Sequence, residues 1–179
     1  MEFKTTLMDD IALERAIMRI SHEIVEKNHG LEDVLIIGIK TRGMPLAQRI
    51  QKNLLEITGI NFPCEELDIT LYRDDLTEIS QQAKLNQDLI KSDVNGKRII
   101  LCDDVLFTGR TVRAAIDAIM HHGRPKTIQL AVIIDRGHRE LPIRPDFVGK
   151  NVPTSLDEVI AVSLTETDGI DQVDLYRKW

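Results

Sequence analysis

The 179-residue chain carries 23 lysines and arginines against 29 acids, a formal net charge of −6, which argues against a surface that is sticky toward nucleic acid everywhere but leaves room for a local basic patch. Hydrophobic residues make up 42%, and no run nears the ~18 apolar residues of a membrane span, so one globular domain over residues 1–179 is expected, cytoplasmic and without a membrane partner. Cys64 and Cys102 are too few for a disulfide framework or a zinc site, and the acids Asp9 and Asp10 do not fit a signal peptide.

The first predicted element is a helix over 9–27. Leu13, Ile17, Ile20 and Ile24 form one apolar stripe, Asp9 or Asp10 can cap its start, and Gly30 can end it. Val34–Ile39 is a continuous apolar run suited to a buried parallel strand. Gly43 and Pro45 open a second helix carrying Leu46, Ile50, Leu54 and Leu55. Leu67–Tyr72 reads as a strand. Residues 73–96 are polar and weakly periodic, and a stretch that long is expected to be either a functional flap or partly disordered. Arg98–Asp103 is the next strand, followed by a helix that presents Val112, Ala115, Ile116 and Ile119 and stops near Gly123 and Pro125. Ile128–Asp135 is another strand, and Glu158–Leu164 is read as the last. Strands alternating with helices imply an α/β fold with a parallel sheet core flanked by helices.

The most informative string is Arg98–Thr111. An apolar strand runs into Asp103 and Asp104, then through Val105, Leu106, Phe107, Thr108, Gly109, Arg110 and Thr111 into a helix. Adjacent carboxylates can accept hydrogen bonds from neighbouring ribose hydroxyls. The amides of Thr108–Thr111 at a helix start can hold a phosphate. The string is neither a Walker A loop nor a dinucleotide-binding glycine loop.

Three further loops follow predicted strands, where ligands of open α/β sheets bind. In Gly38–Gly43, Thr41 and Arg42 can reach a pyrophosphate, and Gly43 permits a tight turn. Arg73 opens the polar stretch and is a candidate for pyrophosphate or substrate. Asp135–Arg144 is densely basic and reads as a functional loop.

The Asp103–Thr111 string resembles the phosphoribosyl pyrophosphate (PRPP) signature of the type I phosphoribosyltransferases. Gly38–Gly43, Asp68–Asp75 and above all Val132–Arg144 with Val148–Ser155 are similar to the bacterial pyrimidine operon regulatory proteins of that family. The resemblance implies a type I phosphoribosyltransferase fold with a flexible flap and a small hood. It implies conversion of uracil and PRPP to UMP and pyrophosphate, with Asp103, Asp104 and Arg42 in the catalytic site, Arg136 near the acceptor base and Ile160 as a candidate apolar contact to that base. Mg²⁺ would arrive on PRPP, largely water-coordinated, so no dedicated protein metal site is expected. UMP or UTP would govern binding to the leader messenger RNA of pyrimidine genes, and the protein would be a homodimer or higher homo-oligomer. The RNA-contacting positions implied are Arg19, His22, Lys27, His138, Arg139, Arg144 and Lys150. A purine phosphoribosyltransferase without an RNA role, or an inactive nucleotide sensor, are the alternatives.

Overall fold

A computed structural model describes residues 1–74 and 89–179. A five-stranded parallel sheet forms the centre. Its strands are β2 (Val34–Ile39), β3 (Cys64–Leu67), β4 (Arg98–Leu106), β5 (Thr127–Asp135) and β6 (Phe147–Asn151), in the order β3-β2-β4-β5-β6. All six residues of β2 and the first six of β4 except Arg98 are buried. Such strands read as unbroken apolar runs because helices and loops cover both faces. On one side lie α1 (Asp10–Lys27) and α2 (Gly43–Thr58), whose buried Leu13, Ile17, Ile20, Ile24, Leu46, Ile50 and Leu54 share a core with Ile36, Ile100 and Ile133. On the other lies α3 (Arg110–His122), where Val112, Ala115 and Ile119 pack with Ile37, Leu101 and Val132.

A second sheet is antiparallel and small. It contains β1 (Glu2–Met8), β7 (Glu158–Ser163) and β8 (Gln172–Arg177) in the order β1-β8-β7, with the short α4 (Thr165–Asp168) between its last two strands. This is the hood that the resemblance implied. Glu158–Leu164 is therefore not the closing strand of the parallel sheet but the start of a separate antiparallel one.

Several boundaries differ from the sequence reading, each for a local reason. Asp9 is the N-cap of α1, its carboxylate accepting from the Ala12 amide at 2.8 Å. The expected strand Leu67–Tyr72 is displaced. Strand pairing runs over Cys64–Leu67 and ends because the Asp68 carboxylate accepts from the Thr70 amide and hydroxyl, closing a 3-10 turn at Thr70–Tyr72. β4 continues three residues past Asp103, since Val105 and Leu106 still pair with Ile134 and Asp135. Of the flap predicted over 73–96, residues 75–88 lie outside the described residues. Its end is packed: Ile90 and Val94 are buried, and the Glu65 carboxylate accepts from the amides of Lys91 and Ser92 at 2.8 and 2.9 Å.

Candidate nucleotide and phosphate site

Both acids of the signature lie within the strand, near the carboxyl edge of the parallel sheet. Asp103 is 7% exposed and Asp104 half-buried. The Asp103 carboxylate accepts from the Asp104 amide at 2.9 Å, and the Asp104 carboxylate from the Val105 amide at 2.8 Å. Burial pushes both carboxyls above the ordinary range, and the neighbouring Asp104 charge pushes Asp103 further. An incoming cationic or hydroxyl-bearing ligand would relieve that cost.

The chain then turns. Gly109 adopts φ 93°, left-handed backbone that glycine tolerates. No side chain caps α3. The Arg110 amide donates to the Thr108 hydroxyl at 3.3 Å, and the amides of Thr111 and Val112, which have no intrahelical acceptor, can face an anion. A small cavity of about 90 Å³ sits here, lined by Asp103, Val105–Gly109, Thr111 and Val112. Beside it opens a cleft of about 510 Å³ whose walls include Lys40, Thr41, Asp68, Thr70, Arg73, Asp74, Arg110 and Thr111. Three basic side chains and Thr41 thus flank the signature, a lining suited to a polyanion. The Lys40–Thr41 peptide is cis.

Gly43 acts differently from the sequence expectation. It has no positive φ. A Cβ there would lie 2.3 Å from the Cys102 carbonyl oxygen, so the residue lets the start of α2 press against β4 directly beside Asp103. Close helix–strand approach, rather than a tight turn, is what requires glycine.

The predicted binding arginines are engaged with protein. Arg42 lies at the N-cap of α2, and its Nη2 and Nε donate to Asp168 on α4 at 2.8 and 3.3 Å. That ion pair raises its pKa. Arg110 is held between Asp74 and Glu140, both at 2.6 Å. Arg73 is exposed on the cleft wall. Arg136 does not point freely at an acceptor base. It is 7% exposed, donates from Nε to Thr154 at 3.0 Å and from Nη2 to the Glu158 carbonyl at 2.8 Å, and stacks 4.0 Å above the Phe107 ring. It ties the signature loop to the entry of the hood, where burial lowers its pKa. Ile160 is buried in the core on β7 and offers little surface to any ligand.

The residues implied for RNA form two groups. Arg19, His22 and Lys27 lie exposed on α1. Arg19 donates to the carbonyls of Val148 and Gly149 at 3.2 and 2.6 Å, and Lys27 pairs with Asp146 at 2.6 Å. Lys150 on β6 donates to the Leu7 carbonyl at 3.2 Å. This group shares one face built by α1 and the sheet-edge strand β6. His138 and Arg144 are exposed on the β5–β6 loop. His138 has φ 61°, and its Nε2 sits 2.5 Å from the Thr154 carbonyl. Arg139, on the same loop, is partly buried and clamps neighbouring backbone. Its guanidinium donates to the carbonyls of Phe107 and Ile143 at 2.8 Å and to Asp135 at 2.5 Å.

Sequence reasoning missed Asp168, the partner of Arg42, and Arg49, which binds Glu166 and Asp171 at 2.6 and 2.7 Å. Contacts spanning 117–126 residues leave no spacing signal. Among the described residues no group of His, Cys, Asp and Glu could hold a metal ion by itself, and no helix is long and apolar enough to cross a membrane.

Residues 5–165 match the phosphoribosyl transferase domain family. Two curated relatives are named "Bifunctional protein PyrR". That of Clostridium perfringens is 55% identical over 99% of both chains, and that of Oceanobacillus iheyensis is 57% identical over 99% of this chain and all of its own. Solved structures share the fold: a hypoxanthine-guanine phosphoribosyltransferase of Bacillus anthracis (TM-score 0.71, 18% identity, covering 97% of this chain and 98% of the other) and the hypoxanthine phosphoribosyltransferase of Trypanosoma cruzi (TM-score 0.74, 13% identity, covering 99% and 98%).

Proposed function

Because the chain belongs to the phosphoribosyl transferase family and, within it, to the group of bifunctional PyrR proteins, we propose that it is a uracil phosphoribosyltransferase that also binds leader RNA of pyrimidine genes under uridine-nucleotide control. The observation that carries this reading is near-full-length identity of 55–57% to bifunctional relatives, on a chain whose acid pair, uncapped helix start and basic cleft sit together at the carboxyl edge of the sheet.

The residues divide the work as follows. The Thr108–Thr111 amides hold the 5-phosphate. Asp103 and Asp104 accept from the ribose hydroxyls, and their clustered charge favours the oxocarbenium-like transition state over the neutral ground state. Thr41 and Arg42 take the pyrophosphate, with Lys40, Arg73 and Arg110 adding positive charge along the cleft. Mg²⁺ enters with PRPP as part of the substrate and neutralises pyrophosphate charge. The acid pair, raised in pKa chiefly by burial, fits a role as acceptor for the ion's waters. Uracil N1 bonds to the anomeric carbon as that carbon's bond to the pyrophosphate oxygen breaks; pyrophosphate leaves with the electron pair, the N1 proton passes to water, and positioning supplies most of the rate.

Arg19, His22, Lys27 and Lys150 form the RNA face on α1 and β6, with His138 and Arg144 beside it. Arginine and histidine suit phosphates and unpaired bases. A homo-oligomer would repeat this face, which allows an acidic chain to hold RNA locally. The likeness to purine enzymes is of fold alone and does not favour a purine substrate.

The test pairs two measurements. Retention of a leader hairpin is measured with and without UMP, and base turnover with PRPP is measured for uracil, hypoxanthine and guanine. Hypoxanthine turnover without RNA retention would overturn the reading.

A further inference from the structure

We propose that Asp168 is a positioning residue that competes with pyrophosphate for Arg42 and speeds its release. This rests on the reading of Arg42 as a pyrophosphate ligand. The Arg42 guanidinium is bound by both oxygens of Asp168, at 2.8 and 3.3 Å. The pair stands beside the signature, where Asp104 also acts on Arg42.

Asp168 is held as a fixed counter-ion. Its Oδ2 accepts from the Leu164 amide at 2.9 Å. The segment carrying it is pinned to α2 by Arg49, which donates to both Glu166 and Asp171, while the Thr165 amide donates to Asp171 at 2.7 Å. The hood thus presents one carboxylate to the N-terminus of α2 at a set position. A pyrophosphate reaching Arg42 must displace that carboxylate, and Arg42 returns to Asp168 as the product leaves. The guanidinium exchanges one bidentate anion for another and never faces water alone. Asp168 touches no substrate in this scheme.

The test is calorimetric titration of magnesium pyrophosphate into the full chain. Asp168→Asn keeps an oxygen for the Leu164 amide and removes the competing charge. Pyrophosphate should then bind about two- to fivefold more tightly, the range that a partly exposed ion pair allows, and the gain should shrink with salt. The kcat and KM for PRPP should fall together. Asp168→Glu, which restores the charge, should return toward wild type. Arg42→Gln should bind more weakly. A structural role for Asp168 predicts weaker binding on its loss, so unchanged or weaker affinity in Asp168→Asn, with Arg42→Gln impaired, overturns the proposal and leaves the site reading intact. Wild-type affinity in Arg42→Gln overturns both.

Discussion

Gly43→Ala should separate catalysis from folding more sharply than any charge change. The added Cβ would meet the Cys102 carbonyl oxygen at 2.3 Å, with Asp103 Cα at 3.3 Å behind it. Reaching even a tight contact of 3.0 Å requires a shift of about 0.7 Å, and both opposing atoms are backbone of the central strand. The start of α2 must therefore back away, carrying Thr41 and Arg42 from Asp103 and Asp104. Overpacking of this kind costs about 1–3 kcal/mol. A displacement of about 1 Å in a positioned site costs on the order of 10²-fold in rate. Gly59→Ala is the matched control. Its φ is 75° and nothing lies within 4 Å of a Cβ, so it should lose about 1–2 kcal/mol through backbone strain alone and keep its turnover. Urea unfolding and steady-state UMP formation at saturating uracil measure the two effects. Wild-type turnover and stability in Gly43→Ala, or equal rate losses in both variants, would refute the reasoning.

Three further outcomes are expected. Asp103 titrates above its ordinary 3.8 in the folded chain, through burial first and the Asp104 charge second. Between the ordinary value and the raised one the native state holds a proton that the unfolded chain has lost, so this pair subtracts stability as pH rises. Asp103→Asn should therefore gain stability over wild type from pH 4 toward 7 while losing turnover; a constant difference across that range would contradict the assignment. Arg139→Gln should lower stability by about 1–3 kcal/mol and impair UMP formation as well as RNA retention, because it unties Phe107 in the signature loop; loss of RNA retention alone would make Arg139 a direct contact. The Cys64 thiol, pushed up to about 11 by burial and then by the Glu65 charge, should react slowly with iodoacetamide at pH 7.5, and fast stoichiometric labelling would count against that environment.

The centre of the parallel sheet was readable because β2 and the middles of β4 and β5 are unbroken apolar runs. Val34–Ile39 and Leu130–Ile134 are buried on both faces, and the stripes of α1 and α2 face them. The signature was readable because its chemistry is local. The hood and the edge strand β6 of the parallel sheet were harder. β1 exposes its first five residues, and β6 holds only Phe147 fully inside, so neither shows an apolar run. β8 does alternate, Val173 and Leu175 inward against Gln172 and Asp174, a period-two signal over few residues. What each arginine does was least readable. Arg136, Arg139 and Arg19 all donate to backbone carbonyls, acceptors that every residue carries and no side-chain pattern marks.

The pairing of β1 with β8 joins residues from Glu2↔Arg177 to Met8↔Val173. The parallel sheet, by contrast, is complete once Asn151 exists. During synthesis the phosphate-binding half can therefore assemble while β1 waits for a partner not yet made, closing a loop of long contact order only at the end. Until then an exposed strand edge and an unpaired Arg42 coexist, so the growing chain can meet polyanions before its own counter-ion on α4 is in place.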